Sequence, residues 1–120
     1  MKRIRVIVVV ALILSANIAS AGVMSGNGLL CSINSEKLDN IMTEDADSTV
    51  DFGEYVLGLG YILGVFDSYQ GLYYCAPRGI TRGQVRDVAL KYLQTHPEML
   101  HKRASILLLE AFTEAFPMKQ

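Results

Sequence analysis

The chain has 120 residues, with 11 Lys+Arg against 12 Asp+Glu and a 51% hydrophobic composition. A chain of this size makes one domain with a modest core. The near-neutral balance and the lack of a sizeable basic patch argue against nucleic acid as a partner.

Residues 1–21 read as a secretory signal peptide. Lys2, Arg3 and Arg5 form a positive n-region, Val6 to Leu14 is an apolar run, and Ala19-Ser20-Ala21 is a small-residue cleavage site. The alternative is an uncleaved anchor, but a spanning helix needs about 20 apolar residues and this run is far shorter. Leu30 beside Cys31 also departs from a lipoprotein-type box. Cleavage leaves a chain from Gly22 to Gln120 with eight basic and twelve acidic residues, a net charge of −4. The expected destination is the periplasm, with no membrane association after cleavage. That compartment is oxidising, and an even count of two cysteines allows one bridge, Cys31–Cys75. Closing a loop of about 45 residues contributes roughly 4 kcal/mol on the chain-entropy model. A metal site from Cys31, Cys75, His96 and His101 is the other option, but no Cys-x-x-Cys or His-x-x-x-His spacing supports it.

Gly22 to Leu30 is rich in Gly, Ser and Asn and reads as an extended arm. Ser32 or Asn34 is placed to cap a short helix through about Met42, with Leu38, Ile41 and Met42 inward. Thr43 to Asp51 is acidic, with Glu44, Asp45 and Asp47, and reads as an exposed loop. It is either a solvated connection or an acidic finger for a positive cleft. Asp51 to Tyr69 is the central helix: Phe52, Tyr55, Val56, Leu59, Ile62, Leu63, Phe66 and Tyr69 recur at helical spacing. Gly53, Gly60 and Gly64 share another face. Each costs up to about 1 kcal/mol against alanine, so a neighbouring helix packed at close range is expected there.

Gln70 to Ile80 is a loop carrying Tyr73, Tyr74, Pro77, Arg78 and Gly79. Two exposed tyrosines and an arginine suit an interface; alternatively, the tyrosines pack locally. Thr81-Arg82-Gly83-Gln84 is a capping box and opens a helix with Val85, Val88, Ala89, Tyr92 and Leu93 on one face. Pro97 ends that helix and can sit in the first turn of the next. Leu100, Ala104, Leu107, Leu108, Ala111, Phe112 and Ala115 form the buried stripe of the last helix, which Pro117 stops.

No chemistry is legible. His96 precedes Pro97 at a junction, His101 sits beside Lys102 and Arg103, and no acid–His–nucleophile arrangement appears. Asp67 reads as structural, bonding near the Cys75 loop. Glu98, Glu110 and Glu114 fall on wet faces. No catalytic residue, metal or cofactor is expected, and the chain is not read as an enzyme.

The stretch Tyr74-Cys75-Ala76-Pro77-Arg78-Gly79-Ile80-Thr81, the two helices joined at His96-Pro97-Glu98, and the Ala115-Phe116-Pro117 ending resemble the Rap/Tai family of immunity proteins. Upstream, Gly26-Asn27-Gly28-Leu29-Leu30-Cys31 and Gly60-Tyr61-Ile62-Leu63-Gly64-Val65-Phe66-Asp67 extend the likeness over most of the mature chain. These periplasmic proteins neutralise amidase toxins delivered by type VI secretion and act as dimers. The resemblance therefore implies an amidase effector as partner, a homodimer, and inhibition by covering the toxin's cleft. It implies binding through protruding loops, for which Tyr73, Tyr74, Arg78 and Arg82 come first, and Glu44, Asp45 and Asp47 second. Many relatives carry two further cysteines at positions that are Gly58 and Met118 here, which suggests that those two pair with each other and leave Cys31–Cys75 as the remaining bridge.

The expected fold is all-α: a compact four-helix domain with one intrachain disulfide. The competing reading is a small periplasmic acid-stress chaperone of the HdeA type, with which twelve carboxylates are compatible.

Overall fold

The computed structural model describes residues 23–34 and 48–119, and within them the chain forms four α-helices. They are α1 (Gly26–Ile33), α2 (Ser48–Tyr69), α3 (Arg82–Thr95) and α4 (Ala104–Ala115), with a 3₁₀ turn at Pro97–Met99. The described part is all-helical, as the periodicity implied.

The segment after Gly22 departs from expectation. Instead of an extended arm, Ser25 caps α1, its hydroxyl accepting from the Gly28 amide at 3.2 Å. Ser32 lies within α1 and donates its hydroxyl to the Leu29 carbonyl, and the helix it is expected to cap lies outside the described residues. Three glycines or asparagines in an eight-residue helix give it a weak intrinsic preference, so its support is tertiary. The Gly26 and Asn27 amides donate to the Lys102 and Leu100 carbonyls, both at 2.9 Å, and the Ala104 amide donates to the Met24 carbonyl at 2.8 Å. Segments far apart in sequence thus satisfy one another's helix-end groups. Gly26 is needed for this approach: a Cβ there meets the Leu100 oxygen at 2.9 Å. The expected inward residues Leu38, Ile41 and Met42 lie outside the described residues.

The central helix begins at Ser48, within what reads as the acidic loop. Tyr55, Ile62 and Phe66 face the core, while Phe52 and Val56 are exposed, contrary to the expected stripe. The glycines correct a second expectation. Among the described residues nothing lies within 4 Å of a Cβ built at Gly53, Gly60 or Gly64, so none of the described helices packs there. The close approach is at Gly58, where a Cβ runs into Ser32 and reaches the Ile33 Cγ2 at 2.8 Å.

The core joins all four helices. Leu29 and Ile33 of α1 meet Ile62 and Phe66 of α2, Val85, Ala89 and Leu93 of α3, and Leu107, Leu108 and Phe112 of α4. The Phe66 ring is its hub, 5.2 Å from Phe112 edge-to-face and 5.6 Å from Tyr74. Burying one such aromatic side chain contributes about 1.5–3 kcal/mol. The α3 and α4 stripes match the periodicity closely, although Ala115 is exposed and Val88 and Tyr92 are only partly buried. The last helix starts later than expected, because the 3₁₀ turn at Pro97 and the bend through His101 precede it.

The expected bridge is absent: Cys31 and Cys75 are both unpaired and exposed. Their local geometry explains this. Leu29 and Ile33 point α1 inward, and Cys31 sits about 200° around the helix from Leu29. Tyr74 and Ala76 are buried, so the extended segment between them turns Cys75 outward. Gly58 packs against Ser32 and Ile33, within a turn of Cys31, and the Cys75 amide donates to the Phe116 carbonyl at 3.0 Å, two residues before Met118.

Candidate partner-binding surface

The loop from Gln70 to Ile80 is tied at several points. Gly71, at φ +81°, turns the chain off α2, and its amide donates to the Tyr74 carbonyl at 2.8 Å. That φ lies in the left-handed region that glycine enters without steric cost. The Tyr69 carbonyl accepts from the Leu72 and Tyr73 amides at 3.0 and 3.2 Å. Further on, Gln70 Oε1 accepts from the Ala76 amide at 3.4 Å, and Cys75 is held by Phe116. Gly79, at φ +83°, completes the turn into α3. The Thr81 box is formed in both directions, Gln84 N–H to Thr81 Oγ1 at 3.2 Å and Thr81 N–H to Gln84 Oε1 at 2.9 Å.

This frame sorts the expected contact residues. Tyr73 is 55% exposed and rests edge-on against Tyr69, ring centroids 5.5 Å apart. It borders a shallow apolar depression with Leu109, Thr113 and Glu114 of α4. Arg78 is exposed and lines a cleft with Ile80, Gln84 and Phe116. Arg82 is also exposed, in a second cleft that shares Ile80, with Leu63 and Asp67. Tyr74 is a correction: it is fully buried and donates its hydroxyl to the Phe66 carbonyl, so it belongs to the core. Burial, then the Asp67 charge, pushes its phenol up to about 12. The acidic candidates Glu44, Asp45 and Asp47 lie outside the described residues. Sequence reasoning missed Leu72, which at 70% is the most exposed large apolar side chain described. Gly71 just before it marks a turn, and turn residues lie on the surface.

The α3–α4 side is held by polar contacts. Tyr92 donates to Glu110 at 2.8 Å, and burial followed by that bond raises its phenol to about 12. The Tyr92 ring stacks on His96, centroids 4.1 Å apart. Arg86 bridges Tyr55 at 2.9 Å and Asp87 at 2.7 Å, and the Tyr55 bond, then Asp87, raises its guanidinium pKa above the ordinary value. Among the described residues no three His, Cys, Asp or Glu side chains converge as metal ligands, and no helix is long and apolar enough to cross a membrane.

What the geometry offers is a set of exposed apolar and cationic side chains on the tied segment between α2 and α3: Leu72 and Tyr73, then Arg78 and Arg82 in separate clefts that share Ile80. A model of the Rap1a immunity proteins matches residues 25–118, from the α1 cap to just past Pro117. The chain belongs to the Rap1a immunity protein family. No curated protein matches it. The matched span takes in every helix described above, so the tied loop and its exposed residues lie within the Rap1a domain rather than in an addition to it.

Proposed function

We propose that this Rap1a-family chain is an exported immunity protein that binds a peptidoglycan amidase delivered by type VI secretion and covers its active-site cleft in the periplasm, as a homodimer. The observation that carries this reading is the family match over residues 25–118. The signal-like residues 1–21 support export, and the resemblance to periplasmic amidase-neutralising relatives supports the target. The action is occlusion, without turnover. A loop fastened to α2 and to the end of α4 loses little conformational freedom on binding, so its contacts convert to affinity with a small entropic cost. Leu72 and Tyr73 supply apolar area, and Arg78 and Arg82 supply charge for an acidic rim. Family membership favours this reading over an acid-stress chaperone.

The test pairs the chain with the amidases encoded beside it. Co-expression should protect cells against an amidase sent to the periplasm, and the two proteins should co-purify. Tyr73→Ala with Arg78→Ala should weaken capture at least tenfold while leaving the fold intact. Absence of both binding and protection for every neighbouring amidase would overturn the proposal.

A further inference from the structure

We infer that the cleft between the turn at residues 77–80, α3 and Phe116 receives a carboxylate-bearing apolar segment of the partner protein, an Asp or Glu beside a Leu- or Phe-sized side chain. The inference names the part of the amidase that this cleft takes, and rests on the reading above for the partner's identity.

The cleft has a volume of about 470 Å³. Its floor is Ile80, Val88 and Phe116, each half-buried, and Arg78, Gln84 and Asp87 stand exposed around it. The three segments that build it are tied to one another. The Cys75 amide donates to the Phe116 carbonyl at 3.0 Å, and the Ile80 amide donates to the Pro77 carbonyl at 3.4 Å. Gly79, at φ +83°, leads directly into the Thr81 cap of α3. The Phe116 ring rests edge-on against Phe66, centroids 6.4 Å apart. The floor is therefore set before anything binds, and an incoming apolar side chain meets a formed surface at small entropic cost.

The charges around the floor select what accompanies that side chain. The lining holds one carboxylate, Asp87, whose Oδ1 accepts twice from Arg86, at 2.9 and 2.7 Å. Arg78 has neither an ion pair nor a hydrogen bond with any described residue. Gln84 commits its Oε1 to the Thr81 amide, which leaves its side-chain amide hydrogens to donate. The cleft thus presents a guanidinium and an amide donor beside apolar area, and its own carboxylate is already compensated. That set is complementary to a carboxylate, which a guanidinium can hold with two parallel bonds. A basic or wholly apolar segment leaves Arg78 without a partner. No lining residue is buried, so the cleft is too open to enclose a free small molecule, whose sites cover most of the ligand. A segment carried on a larger protein interface does not need that enclosure.

Two arms test this on the exported full-length protein. In the first, backbone amide NMR shifts are followed as acetyl-Leu-Glu-Leu-amide is added. The amides of Gly79, Ile80 and Val88 should move and saturate. The Leu-Gln-Leu and Gly-Glu-Gly counterparts should bind about threefold more weakly, as should the Glu peptide to Arg78→Gln. The thermal melt of Arg78→Gln should be unchanged. No movement at those amides, or equal binding of the Glu and Gln peptides, overturns the inference. Acetate producing the same shifts at the same concentration also overturns it, because the cleft then takes any small anion.

In the second arm, capture of the neighbouring amidase is compared among wild type, Arg78→Gln and Arg78→Lys. Arg78→Gln should lose about tenfold, and Arg78→Lys should retain most of the affinity because it keeps the charge. Carbodiimide coupling in Arg78→Lys should join the new amine to an Asp or Glu of the amidase that adjoins an apolar residue. Unchanged capture by Arg78→Gln, or coupling to carboxylates without an apolar neighbour, overturns the inference. If no neighbouring amidase binds the wild type, the reading above fails, and the peptide arm still decides what the cleft takes.

Discussion

Tyr74 donates its hydroxyl to the main-chain oxygen of Phe66, eight residues earlier, while the two rings sit 5.6 Å apart. One side chain thereby closes the turn after α2 and fills the core beside Phe112, 5.5 Å away. Tyr74→Ala should cost about 3–5 kcal/mol by creating a cavity. Tyr74→Phe should cost about 1 kcal/mol, because the Phe66 oxygen still accepts from the Gln70 amide at 3.1 Å. Tyr73→Ala should change stability by less than about 0.5 kcal/mol and act on partner binding alone. Urea titration of the three variants checks this contrast between neighbouring tyrosines.

The same phenol predicts an alkaline limit. Its pKa rises from 10.0 unfolded to about 12 folded, through burial first and Asp67 second. Between those values the folded chain keeps a proton that the unfolded chain has released, so stability falls as pH rises. The contribution is fully present below pH 10 and gone above about pH 12. At about 1.4 kcal/mol per unit, Tyr74 accounts for up to roughly 2–3 kcal/mol. Tyr92 adds in the same direction, and less, because it is only partly buried. Denaturant midpoints measured across this range should decline, and Tyr74→Phe should flatten the decline. An equal slope in wild type and variant would refute the assignment.

Local signals in the sequence were read correctly where local interactions decide the structure. The Thr81 box, the α3 and α4 stripes and the Pro97 break depend on residues within a turn or two of one another. The α1 helix was missed because its support comes from Leu100 and Lys102, about 75 residues downstream, while its own glycines argue against a helix. Tyr73 and Tyr74 are chemically identical neighbours, and only the turn at Gly71 decides which is buried. The acidic part of the candidate site, Glu44, Asp45 and Asp47, lies outside the described residues.

Periodicity singled out Gly53, Gly60 and Gly64, yet tertiary contact singles out Gly58. Gly58→Ala forces Ser32 and Ile33 away from α2 and should cost about 1–3 kcal/mol through overpacking. Gly64→Ala meets no atom of the described residues within 4 Å and should stabilise the monomer by up to about 1 kcal/mol through helix propensity. Opposite shifts in melting temperature, measured at a concentration where the chain is monomeric, are the expected result. Matching shifts would contradict the packing at Gly58.

Exposed, unpaired thiols give a direct chemical readout. Cys31 and Cys75 should both react with a thiol reagent in the native protein, without denaturant. Cys31→Ser and Cys75→Ser should each change stability by no more than about 0.5 kcal/mol, as surface substitutions do. Loss of a bridge closing about 45 residues would instead cost roughly 4 kcal/mol. Intact mass after alkylation, with and without reductant, distinguishes the two outcomes.

The capping box links stability to the candidate surface, since α3 begins where the Arg78 loop ends. Thr81→Ala removes the acceptor for the Gln84 amide and should cost about 1 kcal/mol. Gln84→Ala removes the acceptor for the Thr81 amide and should cost somewhat less, because that exposed amide can bond to water. The two act on one motif, so the double variant should cost less than the sum of the singles. Because the frayed first turn carries Arg82, amidase capture should weaken together with local amide protection at α3. If hydrogen exchange at Arg82–Val85 accelerates in Thr81→Ala while capture is unchanged, Arg82 does not contribute to binding, and the surface reduces to Leu72, Tyr73 and Arg78.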